Sequence, residues 1–394
     1  MTGLLTRLLG RLPIGWLQLF HNKTRLFAAV GGVMFANILI FMQLGFLGAL
    51  RETSVLAHRT WNADIVIVSS DFQSLRTVNS LPRSRMHQAL QIEGVKDVVP
   101  VYFSTINWTD PGTNQIINFR AMGVPAASAA FLDTSIQEQV RKLSEPLTAL
   151  VDVETRQLDP KIVETIKSKG ICEIEVKGRK MHLTGTFSQG ASIDIDGTLI
   201  MSDQTFFEHF PSRSSGTPSL IFVQCESAGP DSLQPIVEAL NRVFPETDVK
   251  AYTKDESVVV EHKFQTKQTP VGFVFSFGVV IGFIVGLVIV YQVLTTDVQD
   301  HLAEYATFKA IGYRQKFFSG IILEEALSLA ALGFVPGMIV SLALYHLAET
   351  KTALPMEMPW SRLVLVFILT VAMCAGSGMV ATKKLSHAQP ADLF

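Results

Sequence analysis

The chain has 394 residues, of which 48% are hydrophobic and 17% charged, and its mean hydropathy is +0.31; a soluble domain carries about a quarter charged residues, so the composition points to a membrane protein. Its 33 basic and 35 acidic side chains leave a formal charge of −2, which excludes a chain-wide basic surface for nucleic acid. Its 3 cysteines supply neither a disulfide scaffold nor the paired spacing of a zinc site.

Residues 1–25 set Leu5, Leu8, Leu9 and Leu12 at helical spacing beside Arg7 and Arg11, and then Trp16, Leu17, Leu19 and Phe20. This suits a helix lying in the cytoplasmic interface with Trp16 at headgroup depth, or equally a leader that only anchors the first span. Leu26 to Leu50 is a charge-free run of about 25 residues, where roughly 20 cross a bilayer, and 26–50 is predicted as that first span. It is too long for a signal-peptide core and no small-residue cleavage site closes it. Asn37 and Gln43 lie inside it and read as interhelical hydrogen-bonding groups.

Residues 51–269 form a segment long enough for one large or two small domains and read as a mixed α/β domain between the first two spans. Strands are predicted at Asp64–Val68, Val98–Ile106, Gln115–Met122, Ala149–Val153, Cys172–Phe187, Thr198–Met201, Leu220–Gln224 and Val249–Tyr252. Helical spacing appears at Arg83–Ile92, Ile136–Leu143, Lys161–Lys169 and Asp231–Val243. The stretches HQALQIEGVKDVVPVY and VEALNRVFPETDVKAY both read helix, break, strand. Two related βαβ units, one near each end of the domain, would return both ends to the membrane. His58, His87, His182, His209 and His262 are scattered without ligand spacing, and no metal site is expected. Cys172 and Cys225 stand on predicted strands, either bonded or as two separate thiols.

The second span, 270–294, carries Gly278, Gly282 and Gly286, a doubled GxxxG that lets another helix backbone approach, from the first span or from a second copy. Residues 295–316 read as an amphipathic cytoplasmic helix with Val298, Leu302, Tyr305 and Ala306 on one side, then Lys309, a break at Gly312, and a basic turn at Arg314 and Lys316. The third apolar stretch, 317–348, includes Glu324 and Glu325; mid-membrane carboxylates are costly, so this pair is placed at the interface and the apolar part begins near Ala326. Pro336 predicts a kink. A short outer loop, 349–362, a fourth span, 363–382, and a tail, 383–394, complete the chain. The basic residues flanking the spans place both termini in the cytoplasm and residues 51–269 outside. No GxxxxGK[ST], HExxH or GxSxG occurs in the sequence, so intrinsic ATP hydrolysis by a Walker mechanism is excluded and no catalytic residue is expected.

One span, a large external domain and three further spans together resemble the FtsX/MacB-like permeases of ABC transporters, the mechanotransmission or type VII family. YATFKAIGYRQKFF…ILEEALSLAALGFVPG resembles the family signature, with Lys309, Ala310, Ile311 and Gly312 on its KALG core and Glu325, Ala326 and Leu327 on its EAL. Lys383, Lys384, Pro390 and Leu393 sit on its basic tail and closing proline motif. More narrowly, Trp16, Leu17, Gln18, Lys23, Thr24, Arg25 and Phe41–Phe46 resemble the DevC type of cyanobacterial exporter permease. Asn37 departs from that pattern, which has an acidic residue there, so a charge or proton role at this position does not carry over.

The resemblance implies a non-catalytic homodimer in a bacterial, cyanobacterial-type inner membrane. Its implied partners are an ABC ATPase subunit that binds ATP and magnesium, a periplasmic adaptor (membrane fusion protein) and a TolC-like outer-membrane protein, with lipid or glycolipid as cargo. The segment Val298–Tyr305 would carry ATPase motion through the second span. The same family also contains non-transporting regulators of cell-wall hydrolases and lipoprotein-extracting permeases.

Overall fold

The structure, a computed structural model, describes residues 14–126, 128 and 131–386. The leucines and arginines at positions 5–12, and Pro390 and Leu393, lie outside the described residues, as do the side chains of Lys383 and Lys384. In chain order the elements begin with α1 (Ile14–His21), α2 (Lys23–Ser54), α3 (Leu56–Arg59), β1 (Ile65–Ser69), α4 (Arg85–Ala89), β2 (Val95–Thr109) and β3 (Ile116–Val124). Next come α5 (Thr134–Val140), β4 (Thr148–Asp152), α6 (Pro160–Lys169), β5 (Cys172–Val176), β6 (Arg179–Phe187), β7 (Gly197–Ser202) and α7 (Asp203–His209). The last are β8 (Leu220–Cys225), α8 (Pro230–Val243), β9 (Val249–Thr253), α9 (Lys254–Lys267), α10 (Pro270–Asp300), α11 (Leu302–Ala310), α12 (Gln315–Thr352) and α13 (Trp360–Ser386). The chain divides into a helical unit, residues 1–48, 273–348 and 356–394, and an α/β unit, residues 49–272 and 349–355.

Among the described residues α2, α10, α12 and α13 are the 4 helices long and apolar enough to cross a membrane. The protein is a multi-pass membrane protein with a mixed α/β domain inserted between its first and second spans. Small side chains let the spans approach: Ala29, Val33 and Ala36 of α2 meet Val290 and Leu294 of α10, Ala326 and Ala330 of α12, and Met373 of α13 in one buried cluster. A Cβ added at Gly333 of α12 would lie 2.5 Å from Cβ of Val33, so this crossing requires glycine. Polar groups pair inward, since no water inside a bilayer can satisfy them: Thr370 Oγ1 donates to Asn37 Oδ1 at 2.6 Å and Ser377 Oγ donates to the Leu287 carbonyl at 2.7 Å. The helix α12 stays continuous through Pro336. It also runs on past Ala348, so residues 349–355, read as part of a loop, belong to the α/β unit.

The α/β unit is built on a 9-stranded sheet of order β5-β6-β4-β7-β3-β2-β8-β1-β9. Strand β2 joins its halves, pairing with β8 through Val101 and with β3 from Tyr102 onward. In the half β9-β1-β8-β2 every neighbouring pair is antiparallel. Hence β1-α4-β2 and β8-α8-β9 are each a split βαβ unit with a strand of the other inserted between its own. The repeated helix–break–strand stretches are α4–β2 and α8–β9, and they occupy equivalent places in these interlocked units.

The stretch Cys172–Phe187 is not one strand but a hairpin. Lys177 and Gly178 both have positive φ, 53° and 73°, the two-residue turn whose twist suits flanking strands. Cys172 and Cys225 stand on β5 and β8, with five strands between them in the sheet, and both thiols are free. Besides the four-residue α3, two helices escape the periodicity reading. Ser202 caps α7 by accepting from the Thr205 amide, and Thr253 with Glu256 forms a capping box on α9. The face α9 buries is polar, with Ser257, Glu261 and Gln265 in successive turns, and so leaves no apolar stripe to detect.

Candidate coupling site

Sequence spacing places Val298, Leu302, Tyr305 and Ala306 along one side of a single helix, but the structure breaks that helix. The spanning helix α10 continues to Asp300, His301 occupies the break, and α11 begins at Leu302. Val298 and Tyr305 are 4% and 3% exposed and lie in the buried cluster of the helical unit, with Leu302 packed against it. They are therefore internal to this chain and do not form an outward docking face; the side chain of Ala306 is outside the described residues. The Tyr305 hydroxyl donates to Gln18 Oε1 of α1 at 3.2 Å, and its ring meets Phe318 of α12 edge-on at 5.6 Å. Burial first, then the nearby Glu325 and Asp297 carboxyls, raise its phenol above the usual value and keep it a donor.

A charged network closes the same end of the bundle. Arg25 of α2 donates to Asp297 Oδ1 at 3.0 Å and to Asp300 Oδ2. His301 lies 3.9 Å from Asp297 and 3.3 Å from Glu304. The sequence reading pairs Glu324 with Glu325 at an interface, and the structure separates them. Glu324 Oε1 accepts the Trp16 amide of α1 at 3.3 Å, whereas Glu325, 1% exposed, points into the bundle beside Asp297 and Arg25. Neighbouring helix positions are roughly 100° apart, so two adjacent carboxyls need not share a surface. Gly15 of α1 lies close to α12: a Cβ there would be 2.6 Å from the Ile321 carbonyl.

The outward-facing element is the turn between α11 and α12. Gly312 has φ +104°, a conformation that favours glycine. The turn is stiffened from within: Tyr313 stacks near Phe317 at 4.5 Å, and Phe308 meets both rings at 5.7 and 6.3 Å. Ile311 is 71% exposed and Tyr313 46%, and Lys309, Arg314 and Lys316 are exposed around them. An apolar knob rimmed by cations on a rigid turn fits a groove with an acidic rim. Of the coupling residues read from sequence, Lys309 and Gly312 lie on this surface, and Ile311 and Tyr313 join them. Their signal was present in the sequence as two large apolar side chains flanking a helix-breaking glycine in a polar segment.

Gly278, Gly282 and Gly286 of α10 face other spans of this same chain. Added Cβ atoms would meet Gln43 at 2.4 Å, Ile40 at 3.1 Å and, at Gly286, Ala36 Cβ at 2.7 Å and the Met373 sulfur at 2.1 Å. Among the described residues no cluster of metal-binding side chains occurs.

Residues 275–390, which hold α11, its turn and the last two spans, match the family described as FtsX-like permease C-terminal. The chain carries an FtsX-like permease domain. Three solved structures are similar to the chain at low identity. The periplasmic region of MacB from Actinobacillus actinomycetemcomitans is 12% identical, covers 50% of this chain and 91% of its own, and has a TM-score of 0.35. The extracellular domain of the noncanonic ABC-type transporter YknZ from Gram-positive bacteria is 13% identical, covers 48% and 98%, and scores 0.30. A domain of a putative permease protein from Porphyromonas gingivalis is 10% identical, covers 50% and 89%, and scores 0.28. A comparison with curated proteins gives no match.

Proposed function

We propose that this FtsX-like chain is the non-catalytic permease subunit of an ATP-driven tripartite exporter of the DevC type. It works as a homodimer in a bacterial inner membrane, with both termini cytoplasmic and the α/β domain in the periplasm. Two copies of an ABC ATPase supply ATP and magnesium chemistry. A periplasmic adaptor and a TolC-like duct complete the path for a lipid or glycolipid cargo. The observation that carries this reading is the exposed Ile311–Lys316 turn within the matched domain.

ATPase closure acts on that turn as the receiver. The buried side chains then transmit, because a turn locked by Phe308, Phe317 and Phe318 cannot yield on its own. Tyr305 on Gln18 and Arg25 on Asp297 tie the displaced helix to α1, α2 and the end of α10. Interiors packed to crystal density pass displacement on rather than absorb it.

The test is an affinity pull-down of the full chain from mild detergent, with mass spectrometry and an ATPase assay on the eluate. Recovery of an ABC ATPase with an adaptor is expected. Ile311→Asp should lower retained ATPase at least tenfold while the gel-filtration profile stays unchanged, since Ile311 touches no core. An Ile311→Asp variant with full ATPase retention would sink the docking assignment, and recovery of a cell-wall hydrolase in place of the adaptor would overturn the exporter reading in favour of a regulator.

A further inference from the structure

The α/β unit contains a polar cleft that the coupling mechanism does not use. The loop after β1, strands β2 and β3, and the loop before β7 enclose a cavity of about 360 Å³. Arg76, Arg120 and Asp194 line it and also line a smaller chamber of about 30 Å³ that reaches Glu261 on the polar face of α9. Its size falls in the roughly 300–1,000 Å³ range of small-ligand pockets.

The side chains around it are left short of partners. The guanidinium of Arg120, half-buried on β3, makes no hydrogen bond or ion pair among the described residues, although it is presented to both chambers. Arg76 approaches Asp194 only to 3.9 Å, and its side chain is 55% exposed at the mouth. Asn118 donates to the Asp194 carbonyl at 3.1 Å, but its own Oδ1 is buried and unpartnered. Glu261 is 3% exposed; Oε1 accepts the Leu75 amide at 3.2 Å, while Oε2 has no hydrogen bond and lies 3.8 Å from His58. Burial pushes its carboxyl up to about 8, against the opposing pull of Arg120 and the Leu75 amide and with the help of Asp194. The cleft is therefore lined by two guanidiniums and the Asp194 carboxyl, with Glu261 reached through the smaller chamber.

We propose that this cleft binds a small hydroxylated organic anion whose carboxylate or phosphate sits on Arg120. A half-buried guanidinium without a partner is shaped for bidentate oxyanion pairing. Thr105 and Asn118, on the same face of the sheet as Arg120, offer hydroxyl and amide groups to the body of such a ligand, and Phe103 gives it one apolar wall. The same oxyanion chemistry occurs on a free solute and on a lipid headgroup, and the two sources are separable by experiment.

The experiment uses the full chain in phosphatidylcholine nanodiscs, titrated calorimetrically with glucuronate, glucose 6-phosphate and glucose. Saturable binding of at least one anion and none of glucose is expected. Arg120→Gln should weaken it at least tenfold, Arg120→Lys should restore part of it, and Arg76→Gln, at an exposed position, should cost two- to threefold without touching the fold. Repeating the titration in phosphatidylglycerol nanodiscs separates the sources: suppressed binding assigns the site to an anionic headgroup, and unchanged binding to a free solute. The proposal is overturned by equal binding of glucose, by no binding of any anion, or by full affinity in a folded Arg120→Gln protein.

Discussion

In the helical unit many of the most exposed side chains are large and apolar; in the α/β unit few large apolar side chains are exposed, although both units bury polar groups. Along α10, Phe273, Phe277, Ile284 and Val288 are 65, 52, 49 and 52% exposed, while Asn37, Thr370 and Ser377 on neighbouring spans are wholly buried. In β1 and β7 every residue is buried, and neither strand carries a charged side chain. The difference originates in the solvent. Lipid tails are as apolar as leucine, so spans gain little from hiding apolar surface and associate through close packing and inward hydrogen bonds. The sheet folds by removing apolar area from water.

That contrast is broken most severely at the span crossings. Gly286→Leu should abolish a monodisperse peak in fluorescence-detected gel filtration, because its Cβ alone would lie 2.7 Å from Ala36 Cβ and 2.1 Å from the Met373 sulfur. Gly31→Leu, on the same bundle but with nothing within 4 Å of an added Cβ, should leave that peak intact. Equal behaviour of the two would mean that close packing does not hold the spans.

Within the α/β unit one buried polar surface is the inner face of α9, and it sharpens the comparison through pH. The Glu261 carboxyl is raised by burial from its ordinary value of 4.5 to about 8 in the folded protein. Its neighbours are His58, Arg120, Asp194 and the Leu75 amide. A raised carboxyl contributes stability that is full below about 4.5 and lost as pH climbs through about 8, because the unfolded chain releases this proton first. Each tenfold difference in proton affinity is about 1.4 kcal/mol, so the loss amounts to a few kcal/mol at most. Thermal unfolding measured by tryptophan fluorescence should show Glu261→Gln gaining on the wild type across that window; parallel curves would contradict the burial assignment. The smallest expected effect lies again in the spans: Thr370→Val, which removes the bond to Asn37, should cost about 1 kcal/mol in a detergent unfolding titration.

Much of this architecture was legible in the chain. A run of apolar residues longer than the bilayer core announces a span whatever surrounds it, and alternation between turn residues marked most strands. Three features were not legible, each because a local signal was missing or pointed elsewhere. The polar inner face of α9 carries no apolar period. The break at His301 has no glycine or proline to mark it. Glu325 reads as interfacial because desolvation disfavours it, yet Asp297 and Arg25, distant in sequence, surround it inside the bundle. The residues expected from sequence to couple split for the same reason: spacing located the helix and its basic turn, but whether Val298 and Tyr305 face out or in depends on α1, α2 and α12 packed beside them.

The sequence by itself determined the number of spans, the insertion of an α/β domain between the first two, and the doubled helix–strand repeat, because length and period are local properties of a chain. Tertiary structure alone decided that Val298 and Tyr305 face inward while the turn after α11 stays exposed, that the glycine stripe of α10 meets spans of its own chain, and that Arg120, Asn118 and Glu261 converge on one cleft. Those are pairwise distances between residues far apart in sequence, and only the packed chain sets them.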